Sequence, residues 1–332
     1  MPSILVTGAT GFLGGAVARR LAADGRDVVG TGRDAAAGAA LGRAGVRFLR
    51  LDLADAAGVA SAVAGSEAVV HSAALAAPWG PAAAFWASNV AGTRTVVAAC
   101  LAAGVRRLVH VSTPSVCFGA ESRLGVRETD PLPDAPPLTA YAASKQLAEA
   151  LVAAAVADGL DAVVVRPRAI YGAGDRVVLP RLAAALRAGR LPRIGDGANV
   201  ASVTHIGTAA RAVIACLDGP PGIAGRLYHV ADTAPVPVWE MVDRLAAALG
   251  VPAPARRMST AHALRAAAAL EWIYRRAGVA REPPLTRYGV GVLAHTQTLD
   301  VSAIRRDLGI AGPRRVEQGL AEFVEESERV KK

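Results

Sequence analysis

Short apolar runs recur through the first half of the chain. Between them lie longer stretches in which apolar positions return every third or fourth residue. The runs Ser3–Thr7, Asp27–Thr31, Val46–Leu49, Ala68–His71, Arg107–Ser112 and Ala162–Arg166 read as strands. The intervening Phe12–Ala23, Ala35–Ala44, Ala56–Val63, Pro81–Ala102 and Tyr141–Ala157 carry apolar faces at helical spacing. Strands such as AVVVR, apolar on both sides, suit a sheet covered on both faces. The alternation predicts βαβ units and an α/β, doubly wound parallel sheet of Rossmann type.

After Pro167 the rhythm breaks. A Gly/Pro-punctuated stretch leads to a helix near Arg181–Ala188, another at Thr208–Leu217, a strand at Arg226–Val230 and a mostly helical end. We expect a first domain over 1–166, completed by about 205–230. A smaller, mostly helical lobe takes 167–204 and 231–332. Asp130–Pro137 (DPLPDAPP) reads as an extended loop placed to cover a substrate.

Gly8, Gly11 and Gly14 fall between the first strand and the first helix. At such a junction the first glycine permits a sharp turn, the second lets backbone approach a pyrophosphate, and the third lets helix pack on sheet. The phosphates then sit on the helix N-terminus. This loop marks the first domain as an NAD(P) binder. After the second strand an acidic residue would bind the ribose hydroxyls of NAD. The chain offers Gly32 and Arg33 there, which suits the 2′-phosphate of NADP; Asp34 competes, but is better placed to cap the next helix. Asp52 and Leu53, after the third strand, should border the adenine.

Tyr141 and Lys145 stand four apart, which on a helix puts them on one face. A phenol exchanges protons poorly at neutral pH, and a lysine ammonium one turn away favours the phenolate. Glu149, a further turn on, is expected to share the lysine's charge. Thr113 follows the fifth strand at the edge where open α/β sheets bind ligands. It can hold a reacting carbonyl oxygen beside Tyr141 or cap its own turn, and Ser112 or Ser115 could share the task.

In order along the chain, TGATGFLG, LDLAD, HSAA, NVAGT, STPSV, YAASK and RPRAIYGAGD resemble the extended short-chain dehydrogenase/reductases. The resemblance implies Thr113, Tyr141 and Lys145 as the catalytic set, with Lys145 also holding the nicotinamide ribose. It brings Gly8, Thr10, Gly11, Phe12, Leu13, Gly14, Ala73, Ala74 and the backbone at Pro167 to the cofactor. Asn89 is expected either to brace the helix near Lys145 and the nicotinamide or to be a buried structural amide. The stretches HSAALAAPWG, RPRAIYGAGDRVVLPRL, IGDGANVASVTHI and EPPLTRYGV look like the 3β-hydroxysteroid dehydrogenase-like branch. Within it they resemble the 2-alkyl-3-oxoalkanoate reductases of bacterial olefin biosynthesis. The implied activity is NADP(H)-dependent transfer of hydride to or from a small hydrophobic keto or hydroxy substrate, its pocket lined near Trp79, Pro180 and the C-terminal helices. Thr113 stands where many members use serine. Phe118 stands where sugar epimerases usually show a Tyr-Gly. The rival readings are an NAD-dependent nucleotide-sugar epimerase or dehydratase, and a non-catalytic NADP-binding regulator. The resemblance also implies a homodimer built on the Pro81–Ala102 and Tyr141–Ala157 helices.

Composition narrows the partners. The net charge of +9 comes from dispersed arginines, with no run of five basic residues and no interleaved aromatics, which argues against a nucleic acid. A basic surface that steers anionic cofactor and substrate is the better reading. Cys100, Cys117 and Cys216 have no metal-ligand spacing and read as buried hydrophobes in a reducing cytoplasm. His205 reads as a structural histidine, and His71 as a residue whose backbone matters more than its ring. No apolar run reaches the roughly 18 residues of a spanning helix. His262–Arg276 has an apolar face and a basic end, so it is a core-facing helix or, at most, a peripheral membrane contact.

Overall fold

The chain was analysed as a computed structural model that describes residues 3–312 and 316–329. Seven strands form the central sheet: β1 (Ser3–Thr7), β2 (Val28–Gly32), β3 (Arg47–Arg50), β4 (Ser66–His71), β5 (Arg107–Val111), β6 (Ala162–Pro167) and β7 (Leu227–Val230). They are all parallel, in the order β3-β2-β1-β4-β5-β6-β7. The order reverses between β1 and β4, which opens a crevice at the carboxyl ends of those strands.

Alternation within each strand feeds the two faces. Ile4 and Val6 of β1 pack with Val17 and Leu21 of the Phe12–Ala23 helix and Val213 and Leu217 of the Ile206–Asp218 helix. Leu5 points the other way. It joins Val59 of the Ala56–Ala64 helix, Val96 of Gly92–Ala103 and Val152 of Ala140–Ala157. The inner strands are therefore apolar on both faces, as a doubly covered sheet requires, whereas the edge strand β3 (RFLR) is largely exposed.

A further core gathers Leu179 and Leu186, Trp239 and Leu245, Ala263 and Ala267, and Leu320 and Phe323 from four C-terminal helices. These helices are Val178–Arg187, Val238–Ala248, Thr260–Arg276 and Val316–Arg329. Small sheets stitch this region together, one of them ordered Val236–Pro237, Val200–Ala201, Gln297–Leu299 and Arg123–Val126. The Arg123–Val126 strand leaves the chain between β5 and the tyrosine helix and pairs with Gln297–Leu299. Strands of two to four residues carry too little periodicity to be read from sequence, and this one was not.

The helix expected at Pro81–Ala102 runs over 82–103, with a π-turn at Trp86–Ala91 between two α-helical segments. No sequence pattern announces that turn, and its wider pitch re-aims the residues it contains.

Candidate active site

The glycine loop tolerates no side chains. Gly8 has a positive φ of 68°, and a Cβ there would lie 2.6 Å from Ala73 Cα. A Cβ on Gly14 would lie 2.4 Å from the Gly8 carbonyl oxygen. The helix that follows starts at Gly11 with no side-chain cap and no acidic residue in its first turn. Its N–H groups are thus open to an anion, which fits the pyrophosphate of a dinucleotide. Thr10 lies against Gly32, where a Cβ would come within 2.4 Å of its hydroxyl. Phe12 lies under Gly174. Leu13 is buried in the core, so what it can offer a ligand is its backbone N–H.

Arg33 is exposed at the tip of β2. The neighbouring Asp34 carboxylate is committed to its own helix and accepts from Ala37 N at 3.0 Å. Asp52 is exposed and accepts from Ala54 N, while Leu53 packs near Gly92. Ala73 and Ala74 follow β4 across the crevice from the glycine loop, and Pro167 is the buried last residue of β6.

Register brings Thr7, His71 and His110 side by side at the ends of β1, β4 and β5. From there a chain of hydrogen bonds runs to the tyrosine helix. The Thr93 hydroxyl gives its hydrogen to Asn89 O at 2.6 Å, so it accepts from His71 Nε2 at 3.0 Å. His71 Nδ1 then accepts from Thr7 Oγ1 at 2.8 Å, and Thr7 Oγ1 accepts from Ala73 N. The His71 ring, expected to be incidental, is thus the bridge between three elements. Burial lowers its pKa to about 3, with the charge of Lys145 acting the same way.

Asn89 lies in the π-turn and is 1% exposed. Its Oδ1 accepts from Leu75 N at 2.7 Å, and its Nδ2 donates to Leu75 O and to Ser144 Oγ at 3.1 and 2.9 Å. It therefore ties the loop after β4 to the residue beside Lys145.

Thr139 caps the Ala140–Ala157 helix by accepting from Ala142 N. That start fixes the direction of Tyr141 and Lys145. Lys145 is 1% exposed, and its Nζ donates to Val111 O at 2.7 Å and to His110 Nε2 at 3.0 Å. Burial lowers its pKa to about 8, against a smaller raising effect of Glu149. Burial also pushes the Tyr141 phenol above its ordinary value, while a hydrogen bond with Thr113 pulls it down. The expected depression of this phenol by Lys145 is not what the geometry gives, because the ammonium is turned onto β5. The expected sharing of charge between Lys145 and Glu149 also fails as a contact. Glu149 forms a two-point ion pair with Arg166, at 2.8 and 2.5 Å.

Thr113 both caps its turn, accepting from Ser115 N, and stands at Tyr141. Its hydroxyl donates to Ser115 Oγ at 3.0 Å, and Ser115 Oγ lies 3.5 Å from Tyr288 Oη. Tyr288 went unread in the sequence, as did Arg168. Nothing in local spacing links residue 288 to residue 115, although both lie in motifs that carry the family resemblance. A cavity of about 280 Å³ reaches this group at Tyr288. Its wall includes Trp79, Phe85, Tyr274 and Val279 together with the charged Glu271 and Arg275. Pro180, expected beside it, is not on that wall. His205 is a structural residue: its Nδ1 accepts from Gly207 N and its Nε2 meets Glu322 at 2.9 Å.

The sequence profile of the NAD dependent epimerase/dehydratase family matches residues 4–231. A 2-alkyl-3-oxoalkanoate reductase of Stenotrophomonas maltophilia is 39% identical over 321 residues, covering 96% of this chain and 97% of that protein. A 4-hydroxy-2-methyl-3-oxo-4-farnesyl-3,4-dihydroquinoline-1-oxide ketoreductase of Stigmatella aurantiaca is 34% identical, over 95% of this chain and 93% of that one. Among solved structures, the dTDP-glucose 4,6-dehydratase DesIV of Streptomyces venezuelae, with NAD and TYD bound, aligns with a TM-score of 0.78. It is 27% identical, with 98% of this chain and 97% of that one covered.

Proposed function

The chain belongs to the NAD dependent epimerase/dehydratase family and is an NAD(P)-dependent oxidoreductase; from that premise we propose that it is an NADP(H)-preferring ketoreductase of 2-alkyl-3-oxoalkanoates. The observation that supports the reading best is the hydrogen bond between Thr113 and Tyr141, with Lys145 buried one turn along the same helix and a cavity beside them whose wall includes Tyr288. When bound, the cofactor supplies the hydride that reduces the substrate's carbonyl carbon. The uncapped helix start and the glycine loop hold its phosphates, and exposed Arg33 receives a 2′-phosphate. Thr113 orients the carbonyl oxygen. Tyr141, kept protonated by burial, delivers a proton from its Oη to that oxygen, which suits the reducing direction. Lys145, one turn away, is the cation on hand to stabilise the phenolate so formed and also meets the ribose.

Trp79, Phe85, Tyr274 and Val279 favour alkyl arms over a nucleotide sugar in the cavity. Residues 167–204 and 231–332 form the substrate lobe in this reading. The exposed apolar side chains Trp86, Leu101 and Leu147, on helices 82–103 and Ala140–Ala157, support a homodimer interface there.

The test is loss of nicotinamide absorbance with a 2-alkyl-3-oxoalkanoate, run with NADPH and NADH in parallel. Tyr141→Phe should lose at least about 10³-fold in kcat while still binding NADPH. Turnover that survives the substitution would sink the assignment of Tyr141. Arg33→Ala should raise the KM for NADPH by about 10- to 100-fold and leave NADH alone, since it removes charge-assisted hydrogen bonds of about 1.5–3 kcal/mol. An unchanged NADPH/NADH preference would overturn the cofactor reading.

A further inference from the structure

Three arginines are buried near the sheet edge or beneath it, and two of them meet a carboxylate. Arg107 pairs with Asp161 at 2.7 Å, and Arg166 with Glu149 at 2.5 Å. Arg168 does not. It follows Pro167 directly and is 5% exposed. The ionisable groups that act on it are the Tyr288 phenol and the Cys117 thiol, and neither is a carboxylate. Its Nη2 donates to Gln297 Oε1, its guanidinium lies 4.3 Å from the centre of the Phe118 ring, and its Nε is buried without a hydrogen-bond partner among the described residues. Burial accordingly lowers its pKa to about 10.

An unpaired cation held out of water costs several kcal/mol. Phe118 returns a fraction of that through its ring face, and Gln297 a neutral hydrogen bond. What would satisfy the rest is an anion that arrives with a ligand, held by the parallel donors of the guanidinium. Tyr288 shows where such an anion would sit. It lines the cavity, its Oη is 3.5 Å from Ser115 Oγ beside Thr113, and its phenol acts electrostatically on both Tyr141 and Arg168. Tyr288 is thus close enough to act on both the reaction centre and the buried cation.

We propose that Arg168, with Tyr288, forms the subsite for the substrate's carboxylate, so that the enzyme selects 3-oxo acids over neutral ketones. The proposal deepens the reductase reading and rests on it. In a 3-oxo acid the carboxyl carbon is separated from the ketone carbon by the single carbon that bears the 2-alkyl arm. A carboxylate anchored at Arg168 therefore turns the ketone oxygen toward Thr113 and Tyr141. The alkyl arms are left to the cavity walled by Trp79 and Phe85. Phe118, which the sequence showed in place of a Tyr-Gly, gains a purpose as the platform that holds the guanidinium.

The experiment runs the reaction in its oxidising direction, because 3-hydroxy acids do not decarboxylate as 3-oxo acids do. A 2-alkyl-3-hydroxyalkanoate and its methyl ester are compared with NADP⁺. The wild-type enzyme should prefer the acid by at least about 10²-fold in kcat/KM, the loss expected when buried donors go unpaired. Arg168→Gln should collapse that preference by about 10²-fold, mainly through the KM of the acid, and Arg168→Lys should restore part of it. An ester handled as well as the acid by the wild type overturns the subsite, even if neither variant folds. A variant that keeps the wild-type acid-to-ester ratio overturns it as well. Turnover of neither compound by the wild type, with NADP⁺ bound, sinks the reductase reading beneath it instead.

Discussion

Lys145 is 1% exposed, and its charge is held by one carbonyl, Val111 O, and one imidazole nitrogen of His110. The depressed pKa of about 8 follows from that desolvation. The ammonium is therefore present below about pH 8 and is lost above it. Ketone reduction should hold its rate up to that pH and fall beyond it, as a pH–rate profile of kcat/KM would show. A profile flat to pH 10 would mean that the charge on Lys145 is not used. At this scale the sequence was most legible where one residue type has one physical use. Gly8 and Gly14 admit no Cβ, and Asp34 caps its helix as its position before an alanine run suggested. It was least legible for Glu149. Four-residue spacing offered it Lys145, but the Ala162–Pro167 strand packed beneath the helix brought Arg166, whose planar fork matches a carboxylate at two points.

The element that matters most beyond the sheet is the helix over 82–103, with its π-turn at Trp86–Ala91. The turn carries Asn89, whose amide satisfies both backbone groups of Leu75 and reaches Ser144 on the tyrosine helix. Asn89→Ala leaves the Leu75 N–H and C=O without these partners, at a cost of about 1–3 kcal/mol. Thermal unfolding should shift down by several degrees, and kcat should fall with it because the loop after β4 and the Lys145 turn lose their tie. An unchanged Tm together with an unchanged kcat would show that the brace is redundant. The helices and strands read from periodicity were found with ends off by up to three residues, as at Val178–Arg187 where Arg181–Ala188 was expected. The π-turn was not, since it depends on what the helix packs against rather than on its own sequence.

The whole molecule keeps His71, His110 and His229 buried and uncharged. Burial lowers His71 to about 3 and His229 to about 4, and takes His110 well below its ordinary value. In the unfolded chain each would take up a proton near pH 6.5, while in the folded chain His71 resists down to about pH 3 and His229 to about pH 4. The unfolded state then binds more protons, so stability is full above pH 6.5 and is lost as the pH falls. By pH 5 the loss is on the order of 2 kcal/mol for each of His71 and His229. Burial raises the carboxyls of Glu128, Asp175, Asp232 and Glu282, which pull the other way only closer to their own range. Thermal unfolding should thus show a Tm that drops steadily from pH 6.5 to 5, and a flat Tm over that window would count against the account.

No helix among the described residues is long and apolar enough to cross a membrane. The expected contact face of the Thr260–Arg276 helix is mixed: Ala263 and Ala267 are in the core, whereas Trp272 stays 65% exposed. The chain by itself determined the sheet, the glycine loop and the placing of Tyr141 and Lys145 one turn apart on one helix. Those follow from the period of the side chains and from contacts within one or two turns. Only the tertiary structure decided where Lys145 spends its charge, which carboxylate Arg166 takes, and that Arg168 meets none among the described residues. Each of those depends on which strand packs beneath which helix, and on how deeply the side chains there are buried.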